Sequence, residues 1–189
     1  MLYSQAQAGS MGVPYVPVLG LIGTDLLKRR DDMVVAADPF DGSTRTVVAK
    51  ALRPDVAVFH VQTADRQGNV SCGYDAEVVI LAEAAKHVIV TAERIVDRLP
   101  EKEAVGAFIP SILVDAVVHT PFGAHPGGCS GMYGPDKIHM AGYVAAAKDD
   151  ASFAEYLRNY VLGVLDHDDY VERFVPQEMR QPLGGDAEG

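Results

Sequence analysis

The sequence has no tryptophan, only two cysteines in 189 residues, and fewer basic than acidic side chains. Cys72 and Cys129 lie far apart, which predicts no disulfide framework and favours a reducing compartment. Lys and Arg number 16 against 26 Asp and Glu, so the formal net charge is −10. Nucleic acids and anionic membranes attract clustered basic residues, and this charge balance argues against either as a partner.

Long apolar runs are also missing. No stretch approaches the roughly 18 consecutive apolar residues of a membrane-spanning helix, and residues 1–20 lack the basic start and apolar centre of a signal peptide. From these absences we expect a cytoplasmic protein.

The remaining composition is that of an ordinary α/β protein, with 48% hydrophobic and 22% charged residues. The length suits one domain over residues 1–189, large enough to bury roughly 70% of the surface of the unfolded chain. The ends at 1–12 and 177–189 are expected to be poorly ordered because they are polar or rich in glycine.

A short apolar run, Val56–Phe59, follows Pro54 and predicts a buried strand of a parallel sheet. Chemically capable side chains come next: His60, Gln62, Asp65 and Asn69. Ligands of open α/β sheets collect beyond the carboxyl ends of strands, so this position favours a binding site. The alternative is a polar turn in which Asp65 caps its own loop.

Further segments complete an open, mainly parallel sheet flanked by helices, with a helical C-terminal part. Predicted strands cover 33–37, 44–51, 70–72, 87–91 and 112–118; predicted helical segments cover 21–27, 77–86, 93–99, a stretch from Ser152 and one that ends at Phe174. Strands and helices in this order favour right-handed crossover connections.

A glycine-rich segment follows the last predicted strand, and it contains Gly123, Gly127, Gly128, Gly131 and Gly134. It matches neither the Walker nor the dinucleotide-binding pattern. Parallel strands release their following loops at the same edge of a sheet, so two groups should face each other across a cleft. The predicted substrate-binding residues are His60, Gln62, Asp65 and Asn69 on one side and Gly123, His125 and Tyr133 on the other. Alternatively, His60 and His125 only hold the loops together.

No metal site is predicted. His119, His125, Cys129 and His139 offer ligand atoms, but their spacing matches no standard zinc pattern. Cys129 could act as a nucleophile, although a small packed cysteine in a glycine-rich loop is the alternative that we favour.

Four segments together resemble the α-subunit of the glutaconate-type coenzyme A transferases, over about residues 10–165. They are GVPYVPVLGLIGTDLL, PDVAVFHVQTADRQGNV, AEAAKHVIVTAERIV and, most specifically, VDAVVHTPFGAHPGGCSGMYGPD. The resemblance implies a coenzyme A transferase-type α/β sheet, a β-subunit partner in a hetero-oligomer, and acyl-CoA and a carboxylic acid as substrates. It implies no permanently bound cofactor. In that family a glutamate attacks the acyl-CoA, and the enzyme carries CoA as a thioester to the second acid.

Two family features are absent from the sequence. The family's α-subunits usually begin with a strand and a GGF-type turn, and the catalytic glutamate lies in a Ser-Glu-Asn-Gly-like motif of the β-subunit. The resemblance therefore implies that this chain carries no catalytic residue and completes its site with a partner. Alternatives are a naturally short or truncated α-subunit, a CoA-thioester hydrolase or ring-cleaving relative, and a non-catalytic scaffold subunit.

Overall fold

The computed structural model describes residues 2–73, 75 and 77–180, which form two sheets and a set of mostly short helices. The strands are β1 (Tyr15–Val18), β2 (Met33–Ala37), β3 (Arg45–Lys50), β4 (Val56–Asp65), β5 (Val70–Ser71), β6 (His87–Val96), β7 (Phe108–Ile109) and β8 (Ala116–His119). The helices are α1 (Leu2–Ser10), α2 (Asp25–Arg29), α3 (Glu77–Ala84), α4 (Lys137–Ala146), α5 (Asp150–Leu157), α6 (His167–Phe174) and α7 (Gln177–Arg180).

The main sheet has the strand order β7-β5-β4-β6-β8. Strand β6 runs parallel to both β4 and β8, whereas β5 and β7 add an antiparallel edge. The expected α/β sheet is confirmed, and it is a mixed sheet with a parallel centre. The smaller sheet, β1-β3-β2, is antiparallel and encloses Met33, Val47 and Ala49.

One face of the parallel strands holds the main core, which α3 helps to cover. Ala57 and Val61 from β4 are buried there with Val88 and Val90 from β6. Side chains alternate along a strand, so Val58, His60 and Gln62 project from the opposite face.

Strand β6 is longer than predicted, and the expected helical turn over 93–99 was wrong. The parallel ladder with β4 continues through Thr63↔Arg94 to Asp65↔Val96. Residues Val88–Thr91 already favour a strand, and each further ladder pair satisfies backbone groups that a helical turn would have to satisfy locally. The last strand is shorter than predicted, because Ser111–Leu113 form a 3-10 turn before it.

The N-terminal segment was expected to be poorly ordered, but Leu2–Ser10 form helix α1. Its Gln5 side chain is buried, and the amide donates to Asp32 Oδ2 at 2.7 Å and to the Lys50 carbonyl at 3.0 Å. These bonds and the contact with α3 anchor a segment that composition alone made look mobile.

The C-terminal part is helical, as predicted, and α6 ends at Phe174 as expected. Helix α4 was missed. Within the segment 177–189, Gln177–Arg180 form α7, while residues 181–189 lie outside the described part. None of the helices in the described residues is both long enough and apolar enough to cross a membrane.

Candidate functional site

Four polar side chains share the face of the main sheet that lies opposite the core. The register pairs His60 with Thr91, and two residues further along each strand it sets Gln62 beside Glu93. His60 and Thr91 lie at the middle of β4 and β6, and Gln62 and Glu93 lie in the carboxyl halves of these strands. The neighbouring strand β8 ends at His119, opposite Ala92, so the loop that follows β8 begins beside these four residues.

Glu93 is the centre of this group, although its side chain is only 4% exposed. Its carboxylate accepts hydrogen bonds from His60 Nε2 at 2.7 Å, from the Phe122 backbone N–H at 2.7 Å and from the Tyr133 hydroxyl. Burial opposes ionisation, but these donors outweigh it and hold the pKa of Glu93 below its ordinary value. The site therefore contains a buried, ionised carboxylate.

The His60 ring is oriented by both of its nitrogens. Nε2 bonds the ionised Glu93 at 2.7 Å and Nδ1 bonds the Thr91 hydroxyl at 2.9 Å. These two bonds fix the orientation of the ring and align it with the carboxylate. A carboxylate–histidine pair of this kind suits proton transfer and the orientation of a polar substrate group.

The glycine-rich loop, residues 120–134, lies across this polar face. Phe122 adopts a left-handed conformation (φ 60°), which aims its N–H at Glu93. A Cβ on Gly123 would lie 2.8 Å from His60 Cε1, so only glycine allows this approach. Further along, the Gln62 amide donates to the Ser130 carbonyl.

Tyr133 and Cys129 complete the buried side of the loop. The Tyr133 hydroxyl accepts from the Ala124 N–H at 3.1 Å and donates to Glu93, while burial and the nearby carboxylate raise its pKa. Burial, with the Glu93 charge, also raises the pKa of the Cys129 thiol to about 11. At neutral pH the thiol is protonated, which favours a packed cysteine over an activated nucleophile.

A cavity of about 490 Å³ opens beside these groups. Its lining includes His60, Gln62, Cys72, Cys129 and Ser130. The His60 ring and the Gln62 amide are the polar groups of β4 that line this cavity.

The structure does not bring Asp65 and Asn69 to this cavity. Asp65 is 1% exposed, and its carboxylate accepts from the backbone N–H groups of residues 67, 69 and 99 and from the Asn69 amide. Asn69 Oδ1 accepts in turn from the Ser111 N–H. Both side chains close their own loop, which agrees with the alternative of a self-capped turn.

His125 also lies apart from Glu93. Its Nδ1 bonds the Tyr170 hydroxyl at 2.9 Å and its Nε2 faces Asp136 at 3.3 Å. Of the predicted site residues, the structure thus groups His60, Gln62, Gly123 and Tyr133, and it places the other three elsewhere.

Glu93 is the residue that sequence reasoning missed. The predicted helical turn concealed a usable signal, because Thr91 and Glu93 are polar residues two positions apart, as are His60 and Gln62. If residues 87–96 had been predicted as one continuous strand, Thr91 and Glu93 would have been expected on one face of it, just as His60 and Gln62 share a face of β4.

Within the described part of the chain, two groups of side chains have the composition of metal ligands: His60 with Glu93 and Cys129, and His125 with Asp136 and His139. In the first group three donors already occupy the oxygens of Glu93 and the Cys129 thiol is protonated. The first group is therefore better described as a hydrogen-bonded network.

Comparison with known proteins agrees with this geometry. Residues 1–120 match the family model described as Coenzyme A transferase. A glutaconate CoA-transferase subunit from Acidaminococcus fermentans is 32% identical over 92% of this chain and 59% of the relative. A 3-oxoadipate CoA-transferase subunit from Pseudomonas knackmussii is 34% identical over 86% and 57%, respectively.

The crystal structure of glutaconate coenzyme A-transferase from Acidaminococcus fermentans is similar to this fold with a TM-score of 0.85 at 28% identity. The match covers 96% of this chain and 62% of the solved chain. The chain thus spans about three fifths of the length of the relatives that it matches.

Proposed function

The chain belongs to the coenzyme A transferase family, and from this we propose that it is the α-type subunit of an acyl-CoA:carboxylate CoA-transferase. The observation that carries the proposal is the fold match over 96% of the chain to a glutaconate coenzyme A-transferase. The similarity to two transferase subunits favours transfer over the hydrolysis or ring cleavage considered above.

In this proposal the Glu93 site forms one wall of a substrate site. His60, Gln62, Gly123 and Tyr133 bind or position the acyl-CoA and the acceptor acid, with Glu93 fixing the orientation of the His60 ring. Such a buried, fully bonded network supports a catalytic role over a scaffold role, because a scaffold needs no ionised carboxylate beneath a glycine-rich loop.

The nucleophilic glutamate would come from a β-subunit. Its carboxylate attacks the thioester carbonyl of acyl-CoA and the CoA thiolate leaves; the thiolate then displaces the acid to leave an enzyme thioester. Glu93 is unsuited to this attack, because three hydrogen bonds occupy its oxygens and the glycine-rich loop covers it.

An uncovered sheet face supports the need for a partner. Val56, Val58 and Val118, called the valine face, are 47%, 64% and 48% exposed and lie on the same face as His60. Parallel strands normally have both faces covered, so exposed valines beside the site indicate a surface that a second subunit buries.

The test is reconstitution with a β-type subunit that carries the family's glutamate motif. The complex should transfer CoA between an acyl-CoA and a carboxylic acid, whereas the isolated chain should not. Transfer by the isolated chain, with a borohydride-sensitive thioester on one of its own glutamates, would contradict the proposal that the β-type subunit supplies the nucleophile.

A matched pair of variants tests the surface. Val58→Asp should prevent association with the β-type subunit, while Val34→Asp, at a similarly exposed position (59%) on the smaller sheet, should not. Sedimentation velocity of each variant mixed with the β-type subunit measures this association. Unimpaired association of the Val58 variant would contradict the proposed interface.

A further inference from the structure

A second polar cluster lies outside the Glu93 site. His125, in the glycine-rich loop, meets Asp136, the N-cap of α4, and His139 in the first turn of that helix; we call this the His–Asp–His cluster. The His125 side chain is completely buried and that of Asp136 is 11% exposed. The cluster therefore joins the loop to α4 in a position where His125 is buried and Asp136 and His139 remain partly open to solvent.

The spacing within the cluster is compatible with two ligands of one ion. His125 Nε2 and Asp136 Oδ2 form a long hydrogen bond of 3.3 Å. Zinc bonds of about 2.0–2.1 Å in a tetrahedron separate neighbouring ligands by about 3.3–3.4 Å. The observed distance matches two ligands of one ion, and ligand atoms of all three residues lie within 4.8 Å of one another.

Each histidine has an outer partner and a remaining nitrogen. His125 Nδ1 bonds the Tyr170 hydroxyl at 2.9 Å, and His139 Nε2 bonds the Tyr156 hydroxyl at 2.8 Å. The rings stand edge to face, with centroids 5.2 Å apart. Metal-binding histidines are normally held this way, by a partner on the nitrogen that does not bind the metal.

We propose that the His–Asp–His cluster binds one zinc ion, with His125, Asp136 and His139 as protein ligands and a water as the fourth. Two imidazoles and a carboxylate whose ligand atoms lie this close together form a set of donors that suits Zn²⁺. The ion would fasten the glycine-rich loop to α4. The loop also carries Phe122 and Tyr133, so the same ion would help to keep the donors to Glu93 in place.

The first experiment uses metal-free full-length chain, titrated with Co²⁺ as a spectroscopic substitute for zinc. We expect one equivalent to bind with the strong visible absorption of tetrahedral cobalt, no thiolate-to-cobalt charge transfer, and displacement by Zn²⁺. Zinc should also raise the melting temperature, since a ligand that binds only the folded state stabilises it. Absence of binding at micromolar metal overturns the proposal.

Variants identify the ligands. Asp136→Asn retains a good N-cap for α4 but removes the anionic ligand, and His139→Ala removes an imidazole. Because changing even an outer partner of a ligand costs about 10–100-fold in metal affinity, we expect at least that loss in both variants. Cys129→Ser should leave metal affinity unchanged.

Circular dichroism of the metal-free variants checks that they fold. If His139→Ala does not fold, the metal affinity of Asp136→Asn decides the test. Unchanged affinity in Asp136→Asn overturns the proposal. A thiolate band that disappears in Cys129→Ser would place the metal at His60, Glu93 and Cys129, and it would overturn the proposal equally.

Discussion

Two loops leave the same edge of the parallel sheet, yet they are held in different ways. The loop after β4, residues 66–69, is closed by Asp65 at the end of the same strand, whose carboxylate accepts three hydrogen bonds from residues 67 and 69 and one from the Leu99 N–H. The loop after β8, residues 120–134, is held across the sheet by Glu93 of β6. The first loop is thus a turn closed by the strand that leads into it, and the second is a cover whose position depends on a buried charge in another strand.

The difference follows from where each anchoring carboxylate lies in its strand. Asp65 is the last residue of β4, so its carboxylate reaches the N–H groups of the turn that follows directly. Glu93 lies within β6 and its carboxylate reaches a loop that follows a different strand, β8.

The largest effect is expected for Glu93→Gln, which would break the anchoring of the second loop. The amide keeps the shape but loses the charge and turns an NH₂ group towards N–H and O–H donors. Turnover of the reconstituted complex should fall by about 100-fold or more, within the usual range for a lost acid–base or orienting group. Steady-state kinetics measures it.

The control for charge removal alone is Asp97→Asn, because Asp97 is 95% exposed and pairs with Arg66 across the surface. It should leave turnover within error of the unaltered complex. Equal turnover in the Glu93 and Asp97 variants would contradict a role for Glu93 in the site.

Asp65→Asn should lower stability and leave turnover unchanged, the opposite of the effect expected for Glu93→Gln. The amide can replace only one of the two acceptor oxygens, so buried backbone N–H groups lose their partner, at a cost of about 2 kcal/mol in unfolding free energy. Urea unfolding measures this loss, and turnover per folded complex should be unchanged. A large loss of turnover without loss of stability would return Asp65 to the substrate site.

The sequence was sufficient for the parallel centre of the sheet, since Val56–Phe59 and Val88–Val90 are continuous apolar runs bounded by polar residues. It was sufficient too to predict that His60 and Gln62 lie beside Gly123 and Tyr133, although these residues meet over a face of the sheet and not at its edge. It did not reveal Glu93, because a charged residue ahead of Pro100 fits a helical turn until the ladder with β4 is known. Nor did it reveal α1, whose order depends on Gln5 reaching Asp32 and Lys50 far along the chain.

A pair of glycine substitutions compares the loops more finely. Gly123→Ala would place a Cβ 2.8 Å from His60 Cε1 and 2.9 Å from the Thr120 carbonyl, so the ring and the loop must separate. Gly68 has φ +95°, and Gly68→Ala strains the backbone of the first loop, at a cost of about 1 kcal/mol or more.

We expect Gly123→Ala to lower turnover more than stability and Gly68→Ala to lower stability more than turnover. Parallel measurements of turnover and urea unfolding on both variants provide the comparison. If both variants lost turnover in proportion to stability, the two loops would be equivalent supports of the fold, and the distinction between turn and cover would fail.

The smallest expected effect is on the dependence of stability on acid. Burial raises the pKa values of Asp65 and Glu93, but hydrogen bonds outweigh it in both and leave the folded pKa below the ordinary value. A depressed folded pKa contributes stability that is complete above the unfolded pKa, about 3.9 for Asp and 4.3 for Glu, and that is lost as the pH falls through the folded value. Unfolding free energy should therefore decline below about pH 4 to 5.

Replacing either carboxylate should remove the part of the acid-dependent loss of unfolding free energy that this carboxylate causes. Asp65→Asn and Glu93→Gln lower stability at pH 7, but each should show a shallower slope between about pH 5 and pH 3, because the lost carboxylate no longer takes up a proton on unfolding. Urea unfolding at four pH values across this window measures the slopes. Slopes identical to that of the unaltered chain would mean that neither carboxylate is held ionised by its loop, and the contrast between the self-closed turn and the anchored cover would lose its electrostatic basis.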